Sequence, residues 1–122
     1  MLTLARIYGY TAGSAPAVFV DRLYPRGIRK EVMAQVWWLK DITPSTELRR
    51  WFHQDPEARF NVFCQRYRSE LHGSTQQAAL QTLRALVAKH PQVVLLTAAK
   101  QPERSHLAVL AQLLEKKKEG LS

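Results

Sequence analysis

Charged residues follow three apolar runs that the sequence predicts as strands. The runs are Val18–Val20, Val36–Leu39 and Val93–Thr97, and the charges that follow them are Asp21, Arg22, Lys40, Asp41 and Lys100. In open α/β sheets, ligands bind just beyond the carboxyl ends of the strands. If these strands run parallel, their charged ends converge on one edge of the sheet. The pattern therefore predicts a site for a small ligand that carries phosphate or carboxylate.

Most of the predicted ligand contacts are basic. An arginine holds phosphate or carboxylate through two parallel hydrogen bonds, whereas a lysine acts as a point charge. A helix that begins at Ser45 or Thr46 adds backbone N–H donors and the positive end of its dipole. The predicted ligand-binding residues are Arg22, Arg26, Lys40, Asp41, Ser45, Thr46 and Lys100. The alternative is that the adjacent acids and bases are ordinary ion pairs that steady loops.

Asp21 and His106 are the candidates for proton transfer. His106 follows Lys100 closely and lies near a predicted helix start, where the helix dipole favours a neutral imidazole. A neutral imidazole suits a base or a hydrogen-bond donor. The alternative for His106 is a surface histidine that hydrogen-bonds a loop, and the sequence does not decide whether anything is catalysed.

Motifs for metals, nucleotides and nucleophilic catalysis are missing from the sequence. It contains no HxxxH or CxxC spacing, so no metal is predicted. It also contains no P-loop, GxGxxG or GxSxG motif, so no cofactor is predicted. Cys64 lies among apolar residues on a helical stripe, which favours a core position over a nucleophile.

Net charge keeps two other classes of function open. The formal net charge is +8 and the isoelectric point is near 10.1, which favours polyanions or acidic partner surfaces. A regulator that binds nucleic acid is therefore the second hypothesis, and it predicts binding that falls steeply with salt. The third hypothesis is a protein-interaction module, in which an exposed aromatic residue such as Trp37 lies at a partner or dimer surface. Excess Lys and Arg are also explained by solubility alone.

Cysteine content and hydropathy indicate the cellular compartment in which we expect the protein. The single cysteine excludes an internal disulfide framework and suits a reducing cytoplasm. Arg6 interrupts the apolar N-terminus before the h-region of a signal peptide is reached, and no run is long enough to span a membrane. We therefore expect a cytoplasmic protein without a membrane partner. The oligomeric state is not indicated.

Apolar patterning predicts one compact α/β domain over residues 1–122, with a small, mostly parallel sheet flanked by helices. The predicted strands are Leu2–Tyr8, Val18–Val20, Val36–Leu39 and Val93–Thr97. Gly9–Pro16 is short for a helical crossover, so the first two strands are expected to pair antiparallel or to leave a loop over the sheet. A short helix is predicted over Ile28–Ala34.

Capping residues predict where the longer helices begin. Ser45 or Thr46 caps one helix, and Asp55 followed by Pro56 starts the next. The latter helix carries a stripe of Phe60, Phe63, Cys64, Tyr67 and Leu71. Ser74 followed by Gln77 fits a capping box for a further helix. The last helix begins between Pro102 and Ser105 and carries Lys116, Lys117 and Lys118 at its C-terminal end, where cations suit the dipole.

Several segments resemble the motifs of the YeaO-like family of small bacterial proteins. Val20–Gly27 (VDRLYPRG) resembles the family motif VDRLWPRG, and Trp38–Phe52 (WLKDITPSTELRRWF) is similar to a second motif almost throughout. The similarity continues through His53–Pro56 and Leu95–Lys100 (LLTAAK) to His106. It covers nearly the whole chain.

The resemblance implies a compact α/β domain of the bacterial cytoplasm that has no established activity. Three positions depart from the family pattern: Tyr24 replaces the usual Trp, Gln101 the usual Asp, and Ser105 the usual Asn. The departures at Gln101 and Ser105 argue against an acid beside Lys100 that takes part in catalysis.

Overall fold

A parallel sheet of four strands organises the fold. The computed structural model describes the backbone of residues 1–120 and the side chains of residues 1–115. The strands are β1 (Leu2–Arg6), β2 (Ala17–Phe19), β3 (Trp37–Trp38) and β4 (Val93–Thr97), in the order β1-β4-β2-β3. All pairs are parallel. The carboxyl ends of the strands therefore meet at one edge, as the sequence predicted.

The helices connect these strands or follow them. They are α1 (Lys30–Met33), α2 (Thr46–His53), α3 (Pro56–Glu70), α4 (Ser74–Lys89) and α5 (His106–Gly120), with 3₁₀ turns at Lys40–Ile42 and Pro102–Arg104. The predicted α/β class with a small parallel sheet is confirmed. The predicted lysine cluster, Lys116 to Lys118, lies outside the described side chains. None of the helices in the described part of the chain is long and apolar enough to cross a membrane.

The connection between β1 and β2 differs from one of the two expectations. The two strands do not pair antiparallel, because β4 lies between them and pairs parallel with both. Ile7 and Tyr10 of the connecting loop pack on the apolar side chains of the sheet. The loop therefore covers the sheet as a helical crossover would, which is the other expectation.

The two faces of the sheet are covered unequally. Val18 and Leu95 belong to the large core beneath α2 to α5, whereas Phe19 and Leu96 belong to a smaller cluster with α1 and its neighbouring loops. This division follows from the period of two in a strand, which sends successive side chains to opposite faces. The strand-covering helices thus lie mainly on one side.

Predicted caps at α2 and α3 are confirmed, whereas the capping box of α4 is wrong. The Ser45 side chain accepts from Leu48 N–H, and the Asp55 side chain accepts from Ala58 N–H. In α4 the N-cap is Gly73, and no side chain caps the helix. Gln77 uses its side-chain amide to donate to the Leu71 carbonyl at 2.6 Å, so Gln77 ties α4 to the end of α3.

The turn after β2 is held by Gly27 and by aromatic packing. Gly27 has φ of +81°, a conformation that costs little only for glycine. Trp38 packs on the Phe19 and Tyr24 rings, each with a centroid separation of 5.9 Å. Trp37 points the other way and is 55% exposed. The alternation confirms that one of the adjacent tryptophans faces the core.

Candidate functional site

Asp21 joins the carboxyl ends of β2 and β4. Its Oδ1 accepts from the Thr97 hydroxyl at 2.7 Å, and its Oδ2 accepts from Ala98 N–H at 2.8 Å. The Asp21 carbonyl also accepts from the Trp38 indole N–H at 2.6 Å. Hydrogen bonds to a charged group are about twice as strong as neutral ones. Asp21 is therefore a structural link between neighbouring strand ends.

His106 lies beside this link at the start of α5. Its Nε2 hydrogen-bonds the Val20 carbonyl and lies 3.4 Å from Asp21 Oδ1. A carbonyl can only accept, so Nε2 carries a proton and donates it to Val20. The His106 side chain is 11% exposed, and its ring meets the Tyr67 ring edge-on. Its Nε2 is thus committed to the backbone and is not free to act as a base.

A cleft of about 790 Å³ opens beside Asp21 and His106. It lies between the ends of β1 and β4, the C-terminal end of α2 and the loop that leads into α5. Arg6, Arg49, Lys100 and Arg104 line it, whereas Asp21 is the only lining carboxylate among the side chains that the structure describes. The local charge is therefore strongly positive.

Within residues 1–115, no ion pair neutralises the cations of the cleft. Among the side chains of residues 1–115, the only contact within ion-pair distance joins Asp21 to His106. Arg6 donates to the carbonyls of Ala98 and Ala99, each at 3.1 Å, which fixes its position without cancelling its charge. The Arg104 guanidinium lies 4.5 Å from the centroid of the Phe60 ring. The arrangement concentrates uncompensated positive charge.

His53 brings a second imidazole to the cleft from the end of α2. Partial burial lowers the pKa of His53 below its usual value, and the nearby Arg49 guanidinium and His106 lower it further. Arg49 and His53 are four residues apart on α2, so both point from the same helical face. The neutral imidazole adds a hydrogen-bonding group that does not repel the surrounding cations.

Three of the nine residues singled out from the sequence line the cleft: Asp21, Lys100 and His106. The others lie elsewhere. Arg22 donates to the carbonyls of Thr43 and Pro44, at 3.3 and 3.5 Å, and so braces a loop. The residues outside the cleft are Arg22, Arg26, Lys40, Asp41, Ser45 and Thr46.

The N-terminus of α2 is already occupied by an internal anion. Ser45 donates its backbone N–H to Glu70 Oε1 at 2.8 Å and its hydroxyl to Glu70 Oε2 at 2.5 Å. The carboxylate of Glu70 therefore takes the place that a ligand was expected to take. Lys40 and Asp41 are exposed, and the Lys40 ammonium lies 4.2 Å from the centroid of the Trp38 ring.

Sequence reasoning missed the cations at Arg6, Arg49 and Arg104, as well as His53. Arg6 is the last residue of β1 and lies level with Thr97 of β4, so the rule used for Asp21 and Lys100 also applies to it. The spacing of Arg49 and His53 on one helical face was a second available signal. Nothing in the local sequence indicates which end of the sheet that face approaches.

Cys64, which was weighed as a nucleophile, lies outside this cleft. Cys64 is buried, and its burial raises the pKa of the thiol. A thiol with a raised pKa is a poor nucleophile at neutral pH. The part of the chain that the structure describes holds no group of three or more His, Cys, Asp or Glu side chains arranged around a metal position.

Comparisons with known proteins identify the family. The family model described as "Inactive DUF488-N3 subclade" matches residues 1–121. An uncharacterised protein of Mycobacterium tuberculosis is 46% identical over 112 residues, which is 91% of each chain. The uncharacterised protein YeaO of Escherichia coli K12 is 40% identical over 97 residues, covering 80% of this chain and 81% of YeaO. No solved structure gives a significant match. The chain therefore belongs to the Inactive DUF488-N3 subclade and is YeaO-like, as its motifs predicted.

Proposed function

We propose that the protein binds a small phosphate- or carboxylate-bearing ligand in the cleft between β1, β4 and α2. The observation that carries this proposal is the set of uncompensated cations that line the cleft, Arg6, Arg49, Lys100 and Arg104. Bringing like charges together is unfavourable unless an anion offsets their repulsion. An anionic ligand would supply that compensation. The cleft volume of about 790 Å³ falls within the range of small-molecule sites.

The geometry supports binding through arginine and lysine side chains together with a helix N-terminus. Guanidinium groups offer paired donors to phosphate or carboxylate oxygens, and the Lys100 ammonium offers a mobile point charge. Helix α5 begins at the cleft wall with His106, so the positive end of its dipole points toward the same space. Helix α2 does not contribute in this way, because its C-terminal end lies at the cleft and its N-terminus, which Glu70 occupies, lies outside it.

Binding without turnover at Asp21 or at the Nε2 atom of His106 fits the contacts of these groups. Both carboxylate oxygens of Asp21 accept hydrogen bonds from β4 or the residue after it, and His106 Nε2 donates to Val20. A general base needs a free acceptor within reach of the substrate proton. The family model that matches the chain is described as an inactive subclade, which agrees with the lack of turnover in this proposal.

Calorimetric titration with inorganic pyrophosphate and with citrate tests the proposal. We expect binding to one site, weakened about tenfold or more by Arg49→Ala, because a hydrogen bond to a charged group contributes about 1.5–3 kcal/mol. Arg50→Ala is the matched control, since Arg50 is the next residue of α2 and does not line the cleft. Equal weakening by the two substitutions would show that only the overall charge attracts the anion. No binding of either anion would refute the proposal.

Nucleic-acid binding is a second candidate, favoured by a basic surface on α2 and α3. The guanidiniums of Arg59 and Arg66 lie 4.7 and 4.3 Å from the centroid of the Trp51 ring. Such a surface suits a polyanion backbone, and its binding would fall steeply with salt. An Arg66→Ala substitution should weaken oligonucleotide binding and leave pyrophosphate binding unchanged. Oligonucleotide binding that is unchanged in Arg66→Ala would contradict this second candidate.

A further inference from the structure

Aromatic and apolar side chains form the other half of the cleft that carries the cations. Phe52 and Phe63 lie at the base of its wall with their rings stacked at a centroid separation of 4.1 Å and are nearly buried, whereas Pro56 and His53 are exposed. A site for a simple inorganic anion needs no such surface. The ligand should therefore have an apolar or planar part as well as an anionic group.

Tyr8 presents a ring that is fixed from two sides. The Arg6 guanidinium lies 4.9 Å from the centroid of this ring, and the Tyr8 hydroxyl donates to the Arg26 carbonyl at 3.0 Å. Arg6 is itself held by the carbonyls of Ala98 and Ala99. The ring is 37% exposed and lines the cleft. A fixed, partly exposed aromatic ring offers a stacking surface with little loss of conformational entropy on binding.

Gln101 adds a polar group that can recognise the edge of a planar ligand. Its side chain lines the cleft and is exposed, and it makes no hydrogen bond within the part of the chain that the structure describes. A carboxamide offers both a donor and an acceptor. Proteins use glutamine in this way to hydrogen-bond the edges of nucleic-acid bases. The position of Gln101 next to Lys100 places this group beside a phosphate-binding cation.

We propose that the ligand of the cleft is a mononucleotide, with its phosphate near Arg49 and Lys100 and its base near Tyr8. This inference rests on the proposed anion-binding function and names the class of anion. Stacking on aromatic side chains and arginine planes is how proteins hold unpaired bases. A sugar phosphate or a dicarboxylate would use the cations but not the Tyr8 ring.

Titration calorimetry of the unmodified protein separates this inference from the anion site itself. The ligands are adenosine, guanosine, cytidine and uridine 5′-monophosphates, together with ribose 5-phosphate and free adenosine, at about 0.15 M salt. We expect at least one mononucleotide to bind about tenfold or more tightly than ribose 5-phosphate, because stacking a base adds affinity. Free adenosine should bind more weakly than the corresponding monophosphate.

The other possible results of these titrations each contradict the mononucleotide inference or both proposals. If ribose 5-phosphate binds as tightly as all four mononucleotides, the anion site stands and the mononucleotide inference is wrong. If pyrophosphate, ribose 5-phosphate and the mononucleotides all fail to bind, both proposals are wrong. If free adenosine matches its monophosphate, the phosphate of the nucleotide is not recognised and the mononucleotide inference is wrong.

Substitutions at Tyr8 test where the base lies. Tyr8→Leu should bring mononucleotide affinity close to that of ribose 5-phosphate and leave ribose 5-phosphate affinity unchanged. Tyr8→Phe is the matched control, because it keeps the ring and loses only the hydroxyl that donates to Arg26. It should retain the preference for the mononucleotide. An undiminished preference in Tyr8→Leu would overturn the placement of the base.

Discussion

Replacing Asp21 should destabilise the fold, because its carboxylate links β2 to β4. The loss of stability should be larger for Asp21→Ala than for Asp21→Asn. Asp21→Ala removes the acceptor of the Thr97 hydroxyl and of Ala98 N–H together. Asp21→Asn keeps the shape, so its amide oxygen can still accept from Ala98 N–H. The Thr97 hydroxyl can rotate and accept from the new amide N–H.

The size of each effect follows from the contacts. Hydrogen bonds to a charged group contribute about 1.5–3 kcal/mol each, and the Asp21 side chain is 16% exposed, so little solvent replaces them. We therefore expect a loss of about 3 kcal/mol for Asp21→Ala. Asp21→Asn loses only the charge assistance and should cost about 1 kcal/mol. For a chain of this length, the larger loss lowers the melting temperature by roughly 10 °C.

Urea unfolding followed by tryptophan fluorescence measures these losses from the shift in midpoint at constant slope. Asp41→Ala is the matched control, since Asp41 is exposed and also follows an apolar run. It should leave the midpoint unchanged. An Asp21→Asn protein that is as stable as the unmodified protein, or more stable, would refute the structural role. Such a result would mark Asp21 as a strained functional group, because active-site residues often cost stability.

Other predictions follow from packing and ionisation. Trp38→Ala should cost about 2 kcal/mol by urea unfolding, whereas Trp37→Ala, at a side chain that is 55% exposed, should change stability by less than about 0.5 kcal/mol. Burial raises the pKa of Tyr67 well above 10, so the unfolded state ionises first and stability falls as the pH rises above about 10. Tyr67→Phe should reduce that alkaline loss while costing about 1 kcal/mol at neutral pH, and a loss of equal size in both proteins would contradict the assignment. Because the pKa of His53 is lowered in the folded state, stability should fall as the pH drops below about 6.5. Bound pyrophosphate should raise the His53 pKa, as followed by NMR titration of its ring protons, and an unchanged pKa would place the anion elsewhere.

Much of the fold could be predicted because a fully buried strand gives a continuous apolar run in the sequence. Val93–Thr97 reads as a continuous apolar run because β4 lies at the interior of the sheet and is covered on both faces. The position of β4 between β1 and β2 could not be predicted. It depends on pairing across most of the chain, and the length of the Gly9–Pro16 connection does not determine it.

Residues that fit a local capping pattern can also form other hydrogen bonds in the folded protein. Ser74 and Gln77 have the spacing of a capping box, but Gly73 takes the N-cap position and the Gln77 amide finds the nearby Leu71 carbonyl. At α2, Ser45 caps as predicted, yet its backbone N–H binds Glu70, which is 25 residues away. A sequence pattern identifies a group that needs a hydrogen-bond partner. The tertiary fold determines which partner that group contacts.

The sequence indicated where the candidate site lies better than it indicated which residues line it. The strand-end rule depends only on strand direction, and the structure places Asp21 and Lys100 at the same cleft. His106 reaches this cleft from the start of α5. Arg22 could not be separated from these by sequence, since its role depends on where the Thr43 carbonyl lies. Arg49 reaches the cleft because α2 packs on α3, and no local pattern predicts where that packing places the helix.

The most direct test of the basic cleft is an NMR map of amide shifts during titration with pyrophosphate. We predict that the largest shifts occur at residues 97–101, at His53 and at the start of α5. An Arg49→Ala protein should lose these shifts, and an Arg50→Ala protein should retain them. Shifts confined to the turn at Arg22 and Arg26, or spread over the surface of α3, would contradict a ligand site in this cleft.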